Sequence, residues 1–282
     1  MAKYINPYTD YGFKKLFGEE ANKDLLIDFL NELLPPHHQI KELAFKNVEN
    51  LPDLQTDRKA FFDIHCISVT GERFIVEMQK AKVKFFKDRA LFYITFPIRE
   101  QSQKGDWDFE LQAIYFIAVL DFLYEEAEEA AKFRRDVSLK DQDNVNFYDK
   151  LHFKFLQMPA FTKQENELET HFDKWAFFLK NLESFNDIPQ ILKEPIFEKA
   201  FETARVSNFT SHQRDEYEQS RLNYIGLKAV SDTAKEEGEL KGKEEGKLET
   251  KLQIAKEMKK AGESLDKTIL YTGLTSREIS RL

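Results

Sequence analysis

Two acids fourteen residues apart fall on what the sequence predicts to be one β-hairpin. They are Asp63 in Phe61-Phe62-Asp63-Ile64-His65-Cys66-Ile67 and Glu77 in Phe74-Ile75-Val76-Glu77-Met78-Gln79. Both flanks are rich in β-branched and aromatic residues, the composition of strands. Between them, Val69-Thr70-Gly71 fits a three-residue loop with glycine at its left-handed position. Ser68 then pairs with Glu72, and counting outward sets Asp63 opposite Glu77, with Cβ atoms about 4.5–5.5 Å apart. Two carboxylates that close repel each other unless a cation or a proton lies between them. Strand alternation puts Gln79 on the face of Glu77. The result is an Asp…Glu-x-Gln cluster suited to a hard divalent ion. Register decides this reading. A two-residue loop at Thr70-Gly71 would pair Asp63 with Met78 and turn Glu77 to the other face. The alternative is two solvated acids on an edge hairpin, and spacing alone does not separate the two.

The surroundings add charge of the opposite sign. Lys80, Lys82, Lys84, Lys87 and Arg89 follow the acids directly, with only Asp88 opposing them. The whole chain carries a formal charge of −8, which argues against polyanion binding by the entire surface. A local basic strip beside acids nevertheless suits a phosphodiester, and Lys80, Lys82 and Arg89 are the candidate phosphate contacts. Arg89 and Tyr93 stand one helical turn apart, either to hold a phosphate or to pair with each other. Asp10 opens a predicted helix, as an acid favoured by the helix dipole or as a further metal ligand. Asp28 and Glu32 read as a solvated face. His65 shares the face of Asp63, as a site neighbour or as a structural histidine. The six histidines show no zinc-protease spacing, no Cys-x-x-Cys occurs, and no phosphate-binding glycine loop is present.

These residues need a scaffold, and apolar periodicity supplies one. Helices are predicted over 10–17 and 22–34, the latter ended by Pro35-Pro36. A strand over 40–45, the hairpin over 60–79, a helix over 85–99 and a buried strand over 109–122 follow. Residues 123–150 read as an acidic loop-like insertion, 151–161 as a further strand, 165–185 as an amphipathic helix and 188–231 as helical. Pattern alone gives a mixed α/β class. With 41% hydrophobic residues and 26 Phe, the chain can bury a sizeable core. One cysteine, Cys66, excludes an internal disulfide framework. No signal-peptide stretch or membrane-length apolar run is seen, so a soluble cytoplasmic protein is expected. Composition shifts near 232, dividing the chain into 1–231, helical from about 163, and a Gly/Glu/Lys-rich tail over 232–282. Gly238, Gly242 and Gly246 make a helix there marginal, at about 1 kcal/mol each relative to alanine. The capping pattern Thr275-Ser276-Arg277-Glu278 closes a small helix-turn-helix, either a DNA-targeting element or a contact for a homodimer.

Four stretches together resemble one family. They are Asn6-Pro7-Tyr8-Thr9-Asp10-Tyr11-Gly12-Phe13-Lys14-Lys15-Leu16-Phe17-Gly18, Phe62-Asp63-Ile64 through Glu77-Met78-Gln79, Asp88-Arg89-Ala90-Leu91-Phe92-Tyr93, and the tail with Glu-Glu-Gly repeats and the ending Thr272-Gly273-Leu274-Thr275-Ser276-Arg277-Glu278-Ile279. The chain resembles the recombination-promoting nuclease and transposase branch of the PD-(D/E)XK nucleases. The resemblance implies a restriction-endonuclease-like core, a mixed central sheet flanked by helices, with a helical C-terminal extension. It implies DNA cleavage with Mg²⁺, or Mn²⁺, in recombination or mobile-element movement. Asp63 and Glu77 become metal ligands and Gln79 takes the place of the superfamily lysine. A glutamine amide is neutral and can only hydrogen-bond where an ammonium would also stabilise charge. The literal Pro52-Asp53 lies too far from the hairpin to be the motif. Residues Phe155-Leu156-Gln157-Met158-Pro159-Ala160-Phe161 depart from the Glu-Leu-Pro-Lys-Phe of the relatives. The alternatives are a catalytically inactive DNA- or protein-binding member and a transposase with strand-transfer activity.

Overall fold

Alternating apolar residues assemble into one mixed sheet with helices on both faces. The computed structural model describes residues 2–46, 63–102, 108–124 and 132–282. In chain order, α1 (Asp10–Phe17) and α2 (Lys23–Asn31) precede β1 (Leu43–Phe45), β2 (Ile64–Ser68) and β3 (Arg73–Gln79). Helix α3 (Phe86–Arg99) then leads to β4 (Ile114–Leu120), β5 (Arg134–Lys140) and β6 (Asn146–Gln157). The chain ends in α4 (His171–Asn181), α5 (Pro195–Ala204), α6 (Ser211–Lys260), α7 (Leu265–Thr272) and α8 (Ser276–Ser280). Strand order is β1-β2-β3-β4-β6-β5. The first three strands are antiparallel, β3, β4 and β6 are parallel, and β5 runs antiparallel to β6. This is the restriction-endonuclease-like arrangement that the resemblance implies.

The pleat sorts the core into two layers. Phe74, Val76 and Met78 point to one face and pack with Phe13, Leu25, Trp175 and Phe197 from α1, α2, α4 and α5. Ile75, Phe116, Ala118, Phe153 and Phe155 point to the other and pack under α3. Glu77, two residues beyond Ile75, belongs to the α3 face.

The N-terminal motif is an anchor for α1. Asn6 donates its backbone N–H to the Tyr217 hydroxyl at 2.9 Å and its side-chain amide to Glu183 at 2.8 Å. Thr9 caps α1 by accepting from the Gly12 N–H. A Cβ on Gly12 would lie 2.2 Å from the Asn6 carbonyl oxygen, so no larger residue fits there.

Asp28 is not a solvated acid. His171 Nε2 and Trp175 Nε1 each lie 2.6 Å from its Oδ2. Burial pulls the Asp28 carboxyl up, but the His171 and Trp175 hydrogen bonds outweigh it and hold the group below its usual range. The same bond holds the His171 imidazole above its ordinary value, against burial. The sign for stability follows from both shifts. The pair contributes fully between the ordinary values, 3.8 for the acid and 6.5 for the imidazole. Its contribution fades as pH rises through the raised His171 pKa and as pH falls through the lowered Asp28 pKa. Asp28→Asn is therefore expected to cost most near pH 5–6 and less at pH 9, read from thermal melts across pH. A cost that is flat from pH 5 to 9 would contradict a charged pair.

Two further expectations need correction. Within 123–150, a long hairpin, β5 with β6, replaces the expected loop over 134–150. Its β5 sequence Arg-Arg-Asp-Val-Ser-Leu-Lys lies on the sheet edge and is largely exposed, so it carries little hydrophobic signal. The helix expected over 165–185 begins only at His171, where Thr170 and Asp173 form a capping box. The marginal helix expected across the glycine-rich tail is there, as part of the continuous α6. A Cβ at Gly238, Gly242 or Gly246 would meet nothing within 4 Å, so these glycines are exposed and mark no turn. The i,i+4 pairs Lys235–Glu239 and Lys241–Glu245 run alongside them.

The chain divides into two compact units, Met1–Leu227 and Lys228–Leu282. The second has its own small core of Ala255, Leu274 and Ile279. The first keeps the start of α6, because Tyr217 and Tyr224 are buried in its core. A chain ending near 231 is therefore expected to fold and melt cooperatively. One ending near 215 loses both tyrosines, at about 3–5 kcal/mol for a large buried aromatic, and is expected to be unfolded by circular dichroism. A folded 215-residue chain, or an unfolded 231-residue one, would refute this boundary.

Candidate active site

The hairpin closes as a three-residue loop. Ser68 donates its N–H to the Glu72 carbonyl at 3.0 Å, and Gly71 has φ +99°, which side-chain-bearing residues rarely adopt. The pairing Ile64↔Val76 and His65↔Ile75, continued one step, sets Asp63 opposite Glu77. The acids are also tied through the backbone. Asp63 Oδ2 accepts the Met78 N–H at 2.7 Å, and Glu77 Oε1 accepts the Asp63 N–H at 3.3 Å.

Glu77 is only 5% exposed. Burial, and then the Asp63 charge, push its carboxyl up to about 8, with Arg89 and Lys14 offsetting part of the effect. Burial also holds Asp63 above its usual range, against the Met78 hydrogen bond, and the charge of Asp10 adds to it. A buried acid beside a half-buried one, both with raised pKa values, is a place where a positive charge would be stabilised. Among the described residues, no cluster of three or more His, Cys, Asp or Glu side chains is gathered for a metal. A two-carboxylate site still fits Mg²⁺, which retains several waters and takes one or two carboxylates beside substrate phosphate.

The other candidate residues fall around this pair in different ways. Gln79 follows Glu77 on the same face, and its Nε2 donates to the Ala81 carbonyl at 3.3 Å. Asp10, at the start of α1, pairs with Lys80 at 2.6 Å. The charges of both are felt at Asp63. Lys82 is exposed just beyond. Arg89 donates to the Tyr93 hydroxyl at 2.8 Å and lies over its ring, so these two pair with each other beside Glu77. His65 is buried, and burial and the Arg73 charge push its pKa down to about 4, which makes it a neutral neighbour. Pro52-Asp53 lies outside the described residues. Sequence reasoning missed Lys14, whose charge acts on both acids. Its signal was available, since Lys14 stands one helical turn after Asp10 on α1.

A model of the PD-(D/E)XK nuclease family transposases matches residues 7–234. The chain belongs to that family. No curated protein and no solved structure gives a significant match. The family match runs from Pro7 into α6 and takes in every candidate site residue named above. Membership in the PD-(D/E)XK nuclease family gives the chain a nuclease or mobile-element role. No described helix is long and apolar enough to cross a membrane.

Proposed function

We propose that this protein is a metal-dependent DNA endonuclease acting in recombination or on mobile elements. The opposed pair of half-buried Asp63 and buried Glu77 carries the reading. Those two carboxylates would hold Mg²⁺ or Mn²⁺, with Asp10 within reach of the same charge environment. A divalent ion there supplies Lewis acidity toward the phosphate and a bound water of lowered pKa. Gln79 orients the attacking water through its amide, of which the Ala81 carbonyl takes only one N–H. Lys80 and Lys82 stabilise phosphates flanking the cut, and Arg89 supports the position of Tyr93 beside Glu77. Supercoiled plasmid incubated with pure protein should be nicked or linearised with Mg²⁺ or Mn²⁺ and left intact in EDTA. Intact plasmid under every metal condition tested would favour the inactive, binding-only reading.

The family description names transposases, which favours strand transfer as a second reading. Labelled DNA ends joined to a target plasmid in Mg²⁺ would establish it; cutting without joining would leave the endonuclease.

A further inference from the structure

The turn into α3 breaks three local rules at one residue. Phe85 is the N-cap of α3, a place that favours a short side chain with an acceptor oxygen. Its ring makes no capping hydrogen bond. Its backbone is left-handed, with φ +61° and ψ +36°, which is unfavourable for a bulky side chain. The residue is also 67% exposed, so the ring adds little to the core. Rules broken with so little gain to the fold are expected at functional sites.

The surface around the ring is positive. Lys82, Lys84 and Lys87 are exposed on either side of it, and Asp88 is the one acid between Lys80 and Arg89. Lys84 Nζ lies over one face of the ring, 5.0 Å from its centroid. Phe109 supplies the contrast. It too is exposed at positive φ, but Asp108 and Glu110 flank it. It also precedes the start of β4, whereas Glu77 pairs with Ala118 further along that strand. Among the described residues, Phe85 alone joins an exposed ring at positive φ to a basic surface.

Phe85 is also near the acids. Its carbonyl accepts the Arg89 N–H at 3.0 Å, one turn into α3. The Arg89 charge acts on Glu77. One helical turn is about 5.4 Å, less than two steps of a DNA duplex at about 3.4 Å each. A strand with a phosphate at Asp63 and Glu77 therefore carries its neighbouring bases toward the ring.

We propose that Phe85 is a wedge that enters the base stack of DNA held at Asp63 and Glu77 and opens one base step beside the cut. The placement of the DNA rests on the proposed nuclease reading. Apolar side chains presented at a protein surface insert between base steps and kink the duplex. The lysines beside the ring hold the phosphates on either side of the opened step. Opening a step costs least where a base pair is mismatched. The wedge thus gives the protein a preference for distorted DNA, which charge alone would not.

The test uses the full chain in EDTA, with fluorescent duplexes of about 20 base pairs read by anisotropy. One duplex is fully paired and the other carries a central mismatch. Wild type should bind the mismatched duplex about 10-fold more tightly, the scale of one base stacked on an aromatic ring. Phe85→Gly should bind both duplexes alike, and Phe85→Trp should keep the preference. Glycine accepts positive φ without strain, so Phe85→Gly should melt at or above the wild-type temperature. A clear fall in that temperature would give the ring a role in holding the fold and overturn the proposal. So would equal affinity of wild type for the two duplexes, no binding of either, or a preference that survives in Phe85→Gly. Sedimentation covers the other occupant: a wild-type dimer that Phe85→Gly turns into monomer, with DNA binding unchanged, gives the ring to a second copy and overturns the wedge. Mismatch preference without plasmid cleavage in Mg²⁺ upholds the wedge and removes the nuclease chemistry. Plasmid cleavage without mismatch preference keeps the nuclease and removes the wedge.

Discussion

Asp63→Ala and Glu77→Ala are each expected to reduce plasmid cleavage by at least about 10²–10³-fold, the scale for removing one preorganised electrostatic group from a reaction site. The fold should survive, and for Glu77 the metal-free protein should gain stability. Its carboxyl is pushed up to about 8 from an ordinary 4.5. The sign follows from that direction. A raised acid contributes its share of stability below its ordinary value and loses it as pH rises through about 8. Glu77→Gln keeps the shape and the acceptor for the Asp63 N–H but cannot ionise. In EDTA its melting temperature should match wild type near pH 4.5 and exceed it above pH 8. A gain of about 1 kcal/mol would appear as roughly 2–4 °C for a chain of this size. Asp63→Asn is the companion test for activity, because Asp63 also accepts the Met78 N–H. Full cleavage by either folded alanine variant would remove these acids from the site, and identical pH courses for wild type and Glu77→Gln would show that burial does not strain Glu77.

Gln79→Leu is expected to cost roughly 2–4 kcal/mol of transition-state stabilisation, about 30-fold to 10³-fold in rate. Leucine has similar bulk but cannot orient a water. Gln79→Lys should retain the maximal rate with weaker Mg²⁺ affinity, because the ammonium adds charge beside two carboxylates that would otherwise attract the metal alone. Rates measured across a Mg²⁺ titration separate the two effects. A leucine variant that cuts as fast as wild type at saturating metal would reduce the Glu-x-Gln motif to its acid.

The hairpin was legible from its apolar flanks and the glycine between them. Its register was not, because Gly71 belongs to the two-residue loop as well as to the three-residue one; the Ser68–Glu72 hydrogen bond and the strand pairing decide it. The helix, three strands, helix, strand order was legible too, as strong periodicity survives tertiary packing. What else was not legible is non-local. Asp28 reads as solvated on its own helix because its partners His171 and Trp175 lie 143 and 147 residues away. The Lys80–Asp10 pair joins a strand end to a helix start in the same fashion. Strand β5 escaped notice because its edge position leaves most of its side chains in water, so alternation gave no contrast.

The seat of α1 has a consequence for the order in which the molecule comes into being. Asn6 is held by Tyr217, 211 positions later, and the Tyr11 N–H by Ser220, 209 positions later. A ribosome therefore releases Asp63 and Glu77 long before it releases the residues that dock α1 and bring Asp10 and Lys14 to the acids. At about 5–20 residues per second, that interval is on the order of 10 s. During it the nascent chain carries both carboxylates without the assembled surroundings that give them their charge environment. Contacts of such long range also slow the final docking. On the proposed nuclease reading, the protein would thus be silent through most of its own synthesis, its competence gated by arrival of α6.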